Sequence, residues 1–317
     1  MILNRAIATE AVHEKMSSGL GAKDISISNL TLMFNKDKGN VDTENLISGN
    51  IDDDALINIS NRYYNTDEAE MQKREEFVEK YADYLNFNNI YIHDVIFDGN
   101  LKGGSALNLS GVDGAVIENN EFKNTGLKDG IDITYSKNID VTNNDFINMG
   151  RSAIFIFWGN QEIKIENNHV KNWMQRYGLY HYYLMERKNI PQENMSDAAI
   201  YAYGPANKEI SVSNNKITLV DEANGTSNPN NTILENILGS EIFKERFKHD
   251  NTDQIPRYAY YAAIRFKGTT DSIAENNYIN IPSPDVHHFF AVDERSFATD
   301  TGGIKTTIPQ NIIFKNN

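Results

Sequence analysis

From Ala106 to Trp173 the chain alternates apolar and polar residues in short runs, and it repeats the same phrasing three times. Ile131 and Ile133 alternate with Asp132 and Thr134, and Ile139 and Val141 with Asp140 and Thr142. That is the period of a β-strand, not of a helix. Asn-Asn pairs close the units at 119/120, 143/144 and 167/168, a spacing of 24 residues. Self-similarity at such a period marks units that bury their apolar faces only against their neighbours. Short strands, one coil per period and an Asn at a fixed corner predict an all-β fold, a parallel β-helix.

The pattern organises most of the chain. Residues 1–34 read as an N-terminal cap and first strand: Ile7, Val12, Met16 and Leu20 have the spacing of a short helical cap, and Ile25–Leu32 is the first strand of the repeat. Residues 35–87 break the pattern and read as a partly helical insertion, with Asp67–Leu85 as its helix. The Asp52–Asp54 run in it reads as a solvated turn, with a metal site as the alternative. Residues 88–317 read as the solenoid. Past Trp173 the Asn pairs return at 214/215, 276/277 and 316/317. Leu107, Ile131, Ile264 and Ile304 each stand 12 residues before the first Asn of a pair, while Ile154 and Ile200 stand 13 and 14 before theirs. The extra residues therefore fall at one corner, in insertions at 173–197, 219–260 and 282–302, which are expected to stand as a wall beside one sheet.

The formal net charge of −14 argues against a nucleic-acid or anionic-membrane partner, so an anionic ligand would have to meet a local cluster of cations. With no cysteine there is no disulfide, thiolate metal site or cysteine nucleophile. The chain holds no apolar run of 18 residues and no signal-peptide core, and it ends in mid-repeat. The expectation is an extracellular protein, secreted or virion-borne, whose export signal lies outside this chain.

The stretch from Gly130 to Phe146 resembles the repeat of the pectin-lyase-like superfamily of right-handed parallel β-helices, and the resemblance extends over about 88–317. It implies that fold. It leaves activity open, because the superfamily includes lyases, hydrolases, epimerases, phage tailspikes and non-catalytic adhesins. The Asp-Pro-His triplet of the alginate epimerase group and the paired-Asp signature of the polygalacturonase group are absent.

Alternation fixes which side chains point outward. In the strand just ahead of each Asn pair they are Val116, Asp140, Lys164 and Ser211, then Glu118, Thr142, Glu166 and Ser213, an ordinary solvent face. The earlier strand of each coil differs. Its first outward column reads Asn108, Asp132, Phe155, Tyr201, Arg265, Lys305, and its second Ser110, Thr134, Phe157, Tyr203, Lys267, Thr307. Ahead of them stands a column of small residues, Ala106, Gly130, Ala153, Ala199, Ala263 and Gly303, expected to leave a trough. Six strands ~4.8 Å apart make a strip about 24 Å long. Aromatic faces suit the C–H faces of sugar rings, and Arg and Lys suit carboxylates. The insertion at 173–197 would add Trp173, Arg176, Tyr180, His181 and Arg187, and the next one Arg257. The alternative is that the insertions lie down on this sheet and make its aromatics a secondary core.

A lyase on an anionic polysaccharide needs cations to neutralise the uronate, a base and an acid. Arg265, Lys305 and Lys267 are the candidates for the first, and Tyr201, Tyr203, His181 or Lys267 for the others. A hydrolase needs two carboxyl groups. Asp132 is the carboxylate of the outward columns, with Asp197 or Glu186 as its partner. The plainer reading has Asp132 hold a neighbouring loop and Asp197 pair with Arg151 as a corner ion pair. Calcium on Asp132 would suit a uronate lyase, although no ligand spacing demands it. His287 and His288 lack a third ligand for zinc. The sequence-based expectation is thus a glycan-cleaving β-helix, a lyase ahead of a glycoside hydrolase, monomeric or trimeric. The alternative is a glycan-binding adhesin or tailspike module.

Overall fold

A computed structural model describes residues 8–9, 23–34, 55–60, 87–100, 104–126, 128–174, 197–219, 261–281, 288–293, 295–298 and 304–317. Among these, nineteen strands join one continuous sheet in which every pairing is parallel, wound as a β-helix with three faces. The first face stacks Ile57–Ser60, Leu107–Ser110, Ile131–Thr134, Ile154–Phe157, the early parts of Asp197–Ser213 and Tyr261–Glu275, and His288–Asp293. The second stacks Val112–Glu118, Lys137–Thr142 and Gln161–Glu166 with the later parts of the long strands and Gln310–Lys315. Short strands such as Glu121–Lys123, Asp145–Ile147 and His169–Lys171 make the third. The described residues contain no helix.

Inside each coil the alternating Ile, Leu and Val side chains form one core along the whole solenoid. The rings of Phe97, Phe122 and Phe146 stack along its axis, with centroids 4.5 and 4.8 Å apart and planes within 5° and 7°. These spacings are the inter-strand distance itself, so like residues in successive coils meet face to face.

The Asn pair does two jobs. Its first member takes the left-handed conformation that turns the corner (φ 55° at Asn119 and Asn143, 56° at Asn167), which Asn tolerates better than other side chains. Its second member is buried and laddered. Asn168 Oδ1 accepts from the backbone and side-chain nitrogens of Asn144, both at 3.0 Å, while its own Nδ2 donates to the Val141 carbonyl at 2.8 Å and to Asn215 Oδ1 at 3.0 Å. The same bonds link Asn120, Asn215, Asn277 and Asn317 across sequence gaps of 24 to 62 residues.

Two boundaries differ from the sequence reading. Ile57–Ser60, inside the stretch read as an insertion, is a solenoid strand paired with Leu107–Ser110, and Ala8–Thr9 pairs with it in turn instead of lying in a helix. His288–Asp293, inside the expected 282–302 insertion, is the last strand of the first face, with Ile264 opposite Phe290. Ile304–Thr307 instead forms an antiparallel hairpin with Arg295–Ala298, lying against the strands Asp197–Ser213 and Tyr261–Glu275. The final insertion thus enters between the first and second faces, not at the corner the earlier ones use. The helix expected at 67–85 and the Asp52–Asp54 run lie outside the described residues.

Replacing Asn168 by Ala should cost roughly 2–4 kcal/mol in urea unfolding, because it strands the buried Asn144 amide. Asn167→Gly, at the adjacent left-handed corner, should stay within ~1 kcal/mol of the parent.

Candidate functional site

Parallel register on the first face brings together residues dozens of positions apart. Asn58, Asn108, Asp132, Phe155, Tyr201 and Arg265 follow one another as direct strand partners, and beside them run Ser110, Thr134, Phe157, Tyr203 and Lys267. The next partners are Ala291, opposite Arg265, and Asp293, opposite Lys267. Lys305 is therefore not in the row; it belongs to the antiparallel hairpin.

The row changes character along its length. Asn58, Asn108, Asp132 and Thr134 keep part of their surface accessible. From Phe155 onward the first column is closed: Phe155 is 8 % exposed, Tyr201 1 % and Arg265 6 %. The rings spend their faces on one another. Phe157 and Tyr203 stack at 5.6 Å and 12°, Phe155 and Phe157 at 5.5 Å and 18°, and Tyr201 meets Tyr203 edge-on at 71°. The Arg151 guanidinium covers the Phe155 ring at 4.1 Å. Ring faces occupied by one another and by Arg151 are not available to a sugar, contrary to the expectation from sequence. Arg265 donates from Nε to Asp293 Oδ2 at 2.7 Å, and Lys267 Nζ lies 5.7 Å from the centroid of the Tyr203 ring.

A third outward column, absent from the sequence reading, flanks the first. Ala198 and Ala262 pack with Phe155 and Tyr201 on the outer side, and in register with them stand Ser152 and Asp129. The small residues one place later (Ala106, Ala153, Ala199, Ala263) belong to the inner core. Gly130 also points inward: a Cβ there would sit 2.6 Å from the Ala153 carbonyl oxygen and 2.8 Å from the Phe146 ring. They are small because the coil corner is crowded, and they form no trough.

Asp129 is the residue that sequence reasoning missed. Fully buried, it receives Arg151 Nε on Oδ1 at 2.9 Å and Nη2 on Oδ2 at 2.5 Å, with the Ser152 amide adding a third bond to Oδ1 at 3.0 Å. Arg151 thus pairs with Asp129, two residues ahead of the strand carrying Asp132; the Asp197 side chain lies outside the described residues. Burial and the nearby Asp129 charge raise the Asp132 carboxyl to about 6, partly opposed by Arg151, Lys128 and a 3.4 Å hydrogen bond from Thr134 Oγ1. The signal available in the sequence was a carboxylate where the neighbouring coils carry Ser105, Ser152, Ala198 and Ala262.

The chain matches, over residues 18–217, the family described as "Right handed beta helix region". The chain belongs to the right-handed β-helix family. Among solved structures it is similar to the crystal structure of DFA-IIIase from Arthrobacter chlorophenolicus A6 without its lid, at 11% identity and a TM-score of 0.32. That similarity covers 92% of this chain and 68% of that one. No curated protein matches the chain.

In this right-handed β-helix Trp173 is no wall residue; it is 2 % exposed and packs in the inner core. Arg176, Tyr180, His181, Arg187 and Arg257 lie outside the described residues, as does Glu186. Among the described residues no three His, Asp or Glu side chains gather closely enough to hold a metal ion.

Arg151→Met should destabilise the fold by about 3–5 kcal/mol, since it leaves the Asp129 charge buried without its guanidinium. Adding Asp129→Asn should recover part of that loss in urea unfolding. Asp132 supplies a pH signature. Its folded-state pKa lies above the unfolded value of about 3.9, so ionisation penalises the fold as pH rises from about 4 to about 6 and the penalty is constant above that. Asp132→Asn lacks the penalty. The variant should gain ~2 kcal/mol on the parent between pH 4 and 7, and equal pH slopes for the two proteins would refute this placement of the charge.

Proposed function

We propose that the chain cleaves a glycosidic bond, with Asp132 as the proton donor to the leaving oxygen and hydrolysis ahead of elimination. The observation that carries this reading is the place of Asp132: a carboxyl group on the outer face, partly accessible, set where the row passes from polar amides to buried rings. A general acid must hold its proton near the working pH, and a carboxyl raised to about 6 does so where an ordinary one does not. Elimination would instead call on Arg265 to neutralise a uronate, and that guanidinium is buried against Asp293. Asp197 stands ahead of Ile200 as Arg151 stands ahead of Ile154, and it is the second carboxyl group in this reading, activating the water that attacks the anomeric carbon.

A second reading has its own support. The mutual stacking of Phe155, Phe157 and Tyr203 and the burial of Tyr201 are what a packing layer requires, and they fit a glycan-binding adhesin or tailspike module that does no chemistry.

Incubation with a glycan panel, followed by product mass spectrometry, separates the readings. Hydrolysis should appear as reducing ends without unsaturated-uronate absorbance, falling as pH rises through about 6. Asp132→Asn should lower the rate by a factor on the order of 10²–10⁴. Unsaturated products would restore elimination; binding without any product would leave the non-catalytic reading.

A further inference from the structure

Ahead of Asp132, the accessible end of the row is neutral in its hydrogen-bonding groups. Asn108 Nδ2 donates to Asn58 Oδ1 at 2.9 Å, which occupies one donor and one acceptor of the pair and leaves the Asn58 amide nitrogen and the Asn108 amide oxygen for another molecule. Asp132 follows as the partner of Asn108 in the next coil. Ser110, opposite Thr134, is 4 % exposed, and its hydroxyl is buried without a hydrogen-bond partner. A buried hydroxyl left unpaired costs free energy, and native structures rarely keep one without a reason. The guanidiniums that could favour an anionic ligand on this face are committed elsewhere, Arg151 to Asp129 and Arg265 to Asp293.

We propose that Asn58, Asn108, Ser110 and Thr134 form a subsite for an uncharged sugar, read through its hydroxyl groups, on the N-terminal side of Asp132. This rests on the glycan-cleaving reading and names its substrate class: a neutral polysaccharide, not a uronate. Amide and hydroxyl groups that both donate and accept match vicinal sugar hydroxyls, which do the same. A sugar hydroxyl bonded to Ser110 would also satisfy a group that the protein leaves open. Successive coils repeat every ~4.8 Å, close to the length of one sugar unit, so a chain laid along the solenoid axis would place adjoining units at Asn58–Asn108 and at Asp132.

The test uses the whole 317-residue chain and two sets of oligosaccharides: neutral gluco-, manno-, galacto- and fructo-oligomers, and anionic oligogalacturonates and alginate oligomers. Binding is measured by calorimetry on Asp132→Asn, which holds substrate without turning it over. The expected result is binding of a neutral oligomer, weakened about tenfold by adding Ser110→Ala or Asn108→Ala. The thermal midpoint of the Ser110→Ala variant should be unchanged or higher, because no hydrogen bond of the free protein is lost. Preference for the anionic set overturns the substrate class. Neutral binding that both variants leave unchanged overturns the subsite while sparing the catalytic reading. Loss of binding with a lowered midpoint in Ser110→Ala would show a packing role and overturn it as well. A parent protein that binds and cleaves none of the oligomers removes the glycan reading itself, and the subsite with it.

Discussion

Parallel strands wound into coils leave one problem at every corner: the chain must leave the sheet, turn, and rejoin it without orphaning buried amides. The laddered Asn solves it, since a side-chain amide carries both a donor and an acceptor and repeats them at the strand spacing. Asn120, Asn144, Asn168, Asn215, Asn277 and Asn317 each take the place of a missing backbone partner for the coil before. Because the ladder reaches across whatever lies between two Asn residues in the chain, insertions of different length leave the register intact. The gap can be 24 residues or 47 without moving Ile139 from Ile163, or Ile163 from Ile210.

That register decides the chemistry of the outer face. Side chains in adjacent coils stand one strand spacing apart, so aromatic residues placed in successive coils stack on each other before they meet a ligand. Phe157 and Tyr203 do so, Phe155 stacks beside Phe157 within its own strand, and the Arg151 guanidinium covers Phe155. What stays accessible is the stretch where the column is polar, at Asn108 and Asp132. The Asp129–Arg151 pair beside it is a buried charge pair of the kind that costs desolvation and returns specificity of position. It keeps a negative charge close to Asp132, and with burial that charge sustains the raised pKa of the group.

Much of the architecture was legible because its causes are local. Alternation names the inward residues, and a left-handed corner selects Asn, so the pairs at 143/144 and 167/168 announce both the turn and the ladder. Spacing counts failed where two causes produce one pattern. Ile304 stands the right distance before an Asn pair, yet the strand it was assigned to is His288–Asp293, because the last insertion sits at a different corner. Gly130 and Ala153 read as a trough on the outside for a similar reason: alternation bends at the corner and turns them inward.

The sequence by itself determined the β period, the repeat, the corner residue and the order of the outward column from Asn108 to Arg265, all consequences of backbone geometry acting over a few residues. Only the tertiary structure decided what those outward groups experience. Burial, the partner of each guanidinium and the acidity of Asp132 depend on atoms contributed by other coils. No count along the chain reveals that Asp129 lies under Arg151 or that Arg265 meets Asp293. Local rules place a side chain on a face; the dielectric and the charges around it come from neighbours that only folding assembles.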